Sequence, residues 1–129
     1  MEQGIAVNPS PALEFWFDFA SPYSYLAASR IEALASAKHL RIRRRPFLLG
    51  PTFKRRASNP SPFQEAGPEE KRYRRRDVER LCELYELPLS WPSSYSRGSL
   101  LATRVALIAS YEAWCGAFTR AGLYKQFFR

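Results

Sequence analysis

Two cysteines, one histidine and one methionine are all that this chain of 129 residues holds of the sulfur and imidazole side chains. Cys82 and Cys115 have neither C-x-x-C nor zinc-ligand spacing, and with His39 as the single histidine there is no material for a histidine-rich metal site or a Cys–His pair. Each cysteine falls in a helical pattern, so both are expected as buried free thiols and not as a disulfide. No stretch approaches the roughly 18 apolar residues of a membrane span. The start, Met1-Glu2-Gln3-Gly4, has no basic n-region or apolar h-region, which makes the cytoplasm the expected location. Acidic residues are also scarce, 12 against 20 Lys and Arg, for a net charge of +8.

Aromatic residues are plentiful. Nine Phe, seven Tyr and three Trp within 46% hydrophobic residues suffice for the core of one domain. Residues 1–12, with Pro9 and Pro11 and no periodicity, are expected as a flexible leader. Leu13, Phe15, Phe17 and Phe19 then alternate with Glu14, Trp16 and Asp18 at strand period, and Trp16 suggests that the second face is partly covered. Ala27, Ile31, Leu34 and Ala35 follow helical spacing within 22–38, and 40–47 reads as a second strand centred on Ile42. Together they make a βαβ unit over 13–49.

Residues 50–68 are rich in Pro, Ser, Gly and Asn, which predicts a long irregular connection. Pro68, followed by Glu69 and Glu70, opens a helix with a stripe of Val78, Leu81, Cys82 and Tyr85, stopped by Pro88. Ser99 is expected to cap a third helix with Leu101, Val105, Ile108 and Ala109 on one face. Trp114, Phe118, Ala121 and Phe128 continue that helical spacing to the end.

The most informative segment is Phe17-Asp18-Phe19-Ala20-Ser21-Pro22-Tyr23-Ser24-Tyr25. An apolar strand runs into a Ser-Pro-aromatic-Ser turn that opens a helix, which places Ser21 at a helix N-terminus. That position favours an anion, because backbone N–H groups and the positive end of the macrodipole meet there. Capping by Ser21 with Pro22 at the first helical position is the plain alternative.

This turn resembles the active-site turn of DsbA-type thioredoxin-fold proteins, with Ser21 and Ser24 at the two cysteine positions. The replacement is similar to the 2-hydroxychromene-2-carboxylate isomerase family and the related kappa-class glutathione transferases. Further segments resemble that family in order: 47–54, Asn59-Pro60-Ser61-Pro62-Phe63, Tyr73, Arg76-Asp77-Val78-Glu79-Arg80, Leu87-Pro88-Leu89, Trp91-Pro92 and 99–106. The similarity runs from about residue 13 to 128.

The resemblance implies an α/β thioredoxin-like fold of DsbA type, with a helical insertion over 50–129. It also implies glutathione as cofactor and a small aromatic or enone carboxylate as substrate, in aromatic compound degradation. Such proteins complete their sheet with a C-terminal hairpin, helix and cis-proline turn that do not appear here, so a truncated domain is expected. Ser21 would hold the glutathione sulfur as the catalytic residue. Pro22, Tyr23, Lys54, Asn59 and Lys71 are the further candidates for binding glutathione or substrate. A dithiol oxidoreductase is excluded, since two serines cannot form a disulfide.

Asp18 reads as a structural residue of the turn, Ser24 as a helical serine and His39 as a partner of the helix C-terminus. Twelve of the twenty basic residues lie in three runs, 41–45, 54–56 and 71–76. Such runs could neutralise phosphates, but they carry no nucleic-acid motif, so a solvated surface that steers anionic substrates is the expected reading. Glutathione transfer is the nearest alternative activity. An inactive fragment serving as a nucleic-acid-binding or dimerisation module, or a homodimer joined through apolar surface, completes the expectations.

Overall fold

The computed structural model describes residues 10–55, 67–93 and 99–128, with the side chains of 53–55 outside the description. Strand β1 (Ala12–Phe17) leads into helix α1 (Pro22–Ala37), strand β2 (Arg41–Pro46) and a short helix α2 (Leu49–Arg55). Helix α3 (Pro68–Leu84) follows, then α4 (Ser99–Ile108), a 3₁₀ turn (Ala109–Tyr111) and α5 (Cys115–Phe127). β1 and β2 pair in parallel, Leu13 opposite Ile42 and Phe17 opposite Pro46. A parallel pair requires a crossover, and α1 is that crossover.

Strand period separates the faces of this pair. Phe15 and Phe17 point into the core and stack at 5.3 Å, and Phe19 continues the cluster edge-on to Phe17. On the other face Trp16 is 57% exposed, so this face is covered only in part. It meets the edge of Phe47 and the Arg45 guanidinium, and its indole N–H donates to Glu14 Oε2 at 3.3 Å. Arg45 also pairs with Glu14 at 3.0 Å and holds that carboxyl below its ordinary range.

α1 buries Tyr25, Leu26, Ala28 and Ala35, while Leu34 is 54% exposed, so its inward face is rotated from the expected stripe. α3 behaves as expected, with Val78 and Cys82 buried. Its end differs: the helix stops at Leu84, before Pro88, and closes through Glu86 in the left-handed region (φ 54°). The Leu87 N–H reaches Cys82 O and the Glu86 N–H reaches Glu83 O, which is a Schellman closure without glycine. α1 ends the same way at His39 (φ 55°), so His39 acts there through its backbone.

Two other expectations are corrected. Part of the connection after Gly50 is regular, since α2 occupies its first residues. The C-terminal stretch is not one helix, because the 3₁₀ turn and an extended Glu112 break it between Ile108 and Cys115. In α4 small residues face inward, with Thr103 and Ala106 buried, and Leu101 and Ile108 are 68% and 80% exposed. That face packs against β2 and α5. Helical periodicity alone does not distinguish the two faces of so apolar a helix.

α5 packs along α1 and completes the core with Leu123 and Phe127. The 87–90 segment is bound to both helices, since the Tyr25 hydroxyl donates to Pro88 O at 2.6 Å and the Ser90 N–H to Phe127 O. Cys82 and Cys115 are buried free thiols.

Candidate functional site

The turn between β1 and α1 is held by Asp18, which is 4% exposed. One carboxylate oxygen accepts from the Ala20 N–H and the other from the Leu49 N–H, both at 2.8 Å. Its backbone N–H donates to Ser24 Oγ at 3.1 Å, and its carbonyl accepts from the Ser21 N–H. Asp18 therefore fastens the start of α2 to the turn. A buried carboxylate whose two oxygens each hold a backbone N–H, one of the turn and one of α2, is in keeping with a structural role.

Ser21 is the N-cap of α1, with extended backbone (φ −93°, ψ 120°) and Pro22 at the first helical position. Its Oγ accepts from the Ser24 N–H at 3.4 Å, long for a cap, and its carbonyl takes the Tyr25 N–H. Among the described residues the Ser21 hydroxyl donates to no acceptor, and the side chain is half-buried. The result is a donor at the positive end of a helix of 16 residues.

The remaining candidates occupy different settings. Pro22 is fully buried and sets the helix start. Tyr23 is 38% exposed, and its hydroxyl donates to Asp77 Oδ2 of α3 at 2.7 Å, which ties the first turn of α1 to α3. Burial, followed by the Asp77 carboxylate, pushes the Tyr23 hydroxyl up to about 12. Ser24 spends its oxygen on the Asp18 N–H. Lys71 is half-buried in the first turn of α3, where its N–H donates to Gly67 O. Lys54 lies on α2, whose start Asp18 anchors to the turn, and Asn59 lies outside the described residues.

Sequence reasoning missed Asp77 as the partner of Tyr23 and Pro88 as the acceptor for Tyr25. Both contacts join residues more than fifty positions apart, for which a single sequence carries no signal. Among the described residues no group of three or more metal-ligating side chains occurs, and no helix is long and apolar enough to cross a membrane.

A parallel strand–helix–strand unit with a polar residue capping the helix, followed by further helices, defines a thioredoxin-like architecture of the DsbA kind. Residues 12–129 match the DSBA-like thioredoxin domain family, and the chain belongs to it. It is 34% identical over 113 residues to the 2-hydroxychromene-2-carboxylate isomerase of Sphingobium xenophagum, a match over 79% of this chain and 57% of that relative. The isomerase of the same name from Pseudomonas sp. (strain C18) is 36% identical over 84 residues, covering 65% of this chain and 39% of its own length. A solved structure of 2-hydroxychromene-2-carboxylate isomerase superposes with a TM-score of 0.78 at 27% identity, over 90% of this chain and 56% of that one. The chain thus spans about half the length of the relatives it matches.

Proposed function

We propose that the protein acts as a glutathione-dependent cis–trans isomerase of the 2-hydroxychromene-2-carboxylate type, with Ser21 holding the glutathione sulfur. The observation that carries this reading is the Ser21 hydroxyl, a half-buried donor without an acceptor among the described residues, at the N-terminus of α1. Similarity to relatives that are named isomerases supports the choice of reaction. Those features fit a bound thiolate, because a hydroxyl proton and a helix N-terminus both favour the anionic form of sulfur.

When bound, glutathione supplies a sulfur nucleophile that adds reversibly to an enone-like carbon, so the former double bond can rotate, and it is regenerated. Ser21 donates its proton in a hydrogen bond to the sulfur and thereby lowers the thiol pKa. Asp18 keeps the turn in place, and Tyr23 fixes the first turn of α1 against α3 through Asp77. Lys54 and Lys71 supply cations for the carboxylates of glutathione and substrate, and Asn59 an amide to orient them. A reducing cytoplasm suits a protein with two buried thiols and no dithiol.

The basic runs have structural uses that support this reading over nucleic-acid binding. Arg44 pairs with Glu32, Arg45 with Glu14, Arg74 with Glu70, and Arg76 with Glu79 and Glu83. Arg75 lies over the Trp91 ring.

Thermal melts of the chain with and without millimolar glutathione, for the parent and Ser21→Ala, test the proposal. Binding to the native state raises its stability by linkage, so the parent melts higher with glutathione while Ser21→Ala shifts little. Comparing ligand-induced shifts removes the capping loss, which both melts of the variant share. Ultraviolet titration of the bound thiol is expected to give a lower pKa with the parent than with Ser21→Ala. Equal shifts and equal thiol pKa values would remove Ser21 from the role. Conjugation of a test electrophile without isomerisation would move the activity to glutathione transfer.

A further inference from the structure

A groove of about 400 Å³ opens between α1 and α5 beside the 87–88 segment. Its buried lining is Tyr25, Ala28 and Leu123, and its exposed lining includes Ala121 and Tyr124. The volume lies within the range of small-molecule sites, and the surface is mainly carbon and ring. The Tyr25 hydroxyl is committed to Pro88 O, and the Ser29 hydroxyl at the edge donates to Leu26 O. Ser21 does not line the groove. At 1.5 Å rise per residue the α1 lining runs from Tyr25, about 6 Å along the helix from Ser21, to Ser29, about 12 Å from it, so the groove extends away from the N-terminus along the body of the helix.

One end of the groove carries charge. Arg120 lines it and pairs with Glu32 of α1, and the same Glu32 oxygen accepts from Arg44 at 2.5 Å. Two guanidinium groups share one carboxylate, which leaves this triad one positive charge in excess. The lining contains no Asp or Glu to offset it. An apolar floor with an undercompensated arginine at its edge is complementary to a flat apolar body bearing one negative group.

We propose that this groove is a second binding site, separate from Ser21, that takes a small aromatic anion. The ring lies against Tyr25, Leu123 and Tyr124, and the carboxylate or sulfonate meets Arg120. The site does not depend on the glutathione chemistry proposed for Ser21.

Two fluorescent probes test it on the whole chain: 8-anilinonaphthalene-1-sulfonate, an aromatic anion, and N-phenyl-1-naphthylamine, its neutral counterpart. The expected result is saturable one-to-one binding, with the anion preferred and undisturbed by millimolar glutathione. Arg120→Gln should weaken the anion by about three- to fivefold, as for a partly exposed charge contact, and leave the neutral probe unchanged. Ala121→Phe should block both probes at unaltered circular dichroism, and Ser29→Leu does the same from the opposite wall. Both positions are exposed, so the substitutions spare the core. Equal affinity for the two probes overturns the role of Arg120. Binding that persists in both groove-filling variants, that never saturates, or that glutathione displaces overturns the site.

Discussion

Gly122 of α5 lies so close to the ring of Phe19 that a Cβ at that position would stand 2.7 Å from Phe19 Cε1. Phe19 is 4% exposed and packs between Phe17 and Phe118, so its ring has no room to retreat. The glycine thus lets α5 approach the end of β1, where the Ser21 turn begins.

Substituting Gly122 by Ala gains helix propensity but forces the ring to shift. Overpacking of this kind costs about 1–3 kcal/mol, which exceeds the about 1 kcal/mol of propensity gained. A lower urea midpoint at unchanged slope is the expected outcome, and an equal or higher midpoint would show that the helices separate freely.

Glu86 presents the opposite case. It closes α3 in the left-handed region, where a residue with a Cβ is disfavoured by about 1–2 kcal/mol. Glycine meets the same backbone requirement without that penalty, while giving back part of the gain through unfolded-state entropy. Glu86→Gly should therefore raise the stability in urea by roughly 0.5–1 kcal/mol. A loss would mean that the Glu86 side chain contributes more than its backbone strain removes.

Alkaline pH should weaken the fold over a defined window. Burial pushes both Tyr23 and Tyr25 up from the ordinary 10.0 to about 12. The folded state holds the neutral phenols, whereas the unfolded chain releases their protons nearer pH 10. Their contribution is complete below pH 10 and declines as pH rises towards 12. The melting temperature should fall across that interval, and less steeply in Tyr25→Phe, which also loses about 1 kcal/mol with its hydrogen bond to Pro88 O. A pH profile identical in parent and variant would contradict the assignment.

Asp18→Asn tests the clamp at the turn. An amide keeps one acceptor oxygen but turns an NH₂ group towards one of the two N–H donors, Ala20 or Leu49. Loss of a charge-assisted bond and an unpaired buried donor should cost about 2–3 kcal/mol. Faster hydrogen exchange at the Leu49 and Ala20 amides, read by NMR, would locate the effect, and unchanged exchange at both would refute it.

The βαβ unit was legible because β1 carries its period openly and Ser21-Pro22 marks the boundary between strand and helix. α3 was legible for the same reason, with Pro68 and two acidic residues at its start. The break between α4 and α5 was not, since 109–114 contains neither proline nor glycine. The inward faces of α1 and α4 were misplaced because both helices are apolar around much of their circumference. That Ser21 caps α1 was legible from the turn alone, while the groove at Arg120 was not sought, as its lining comes from three separated segments.

Local chemistry decided, from sequence alone, where α1, α3 and α4 begin, that the cysteines do not pair as a redox dithiol, and that a serine stands at the start of α1. Only tertiary structure decided that Asp18 fastens α2, that Tyr23 meets Asp77, that Glu32 is shared by two arginines, and which side of each apolar helix is buried. The reason is range. Capping, backbone preference and periodicity act over a few residues, whereas these contacts depend on where the packed elements bring distant side chains together.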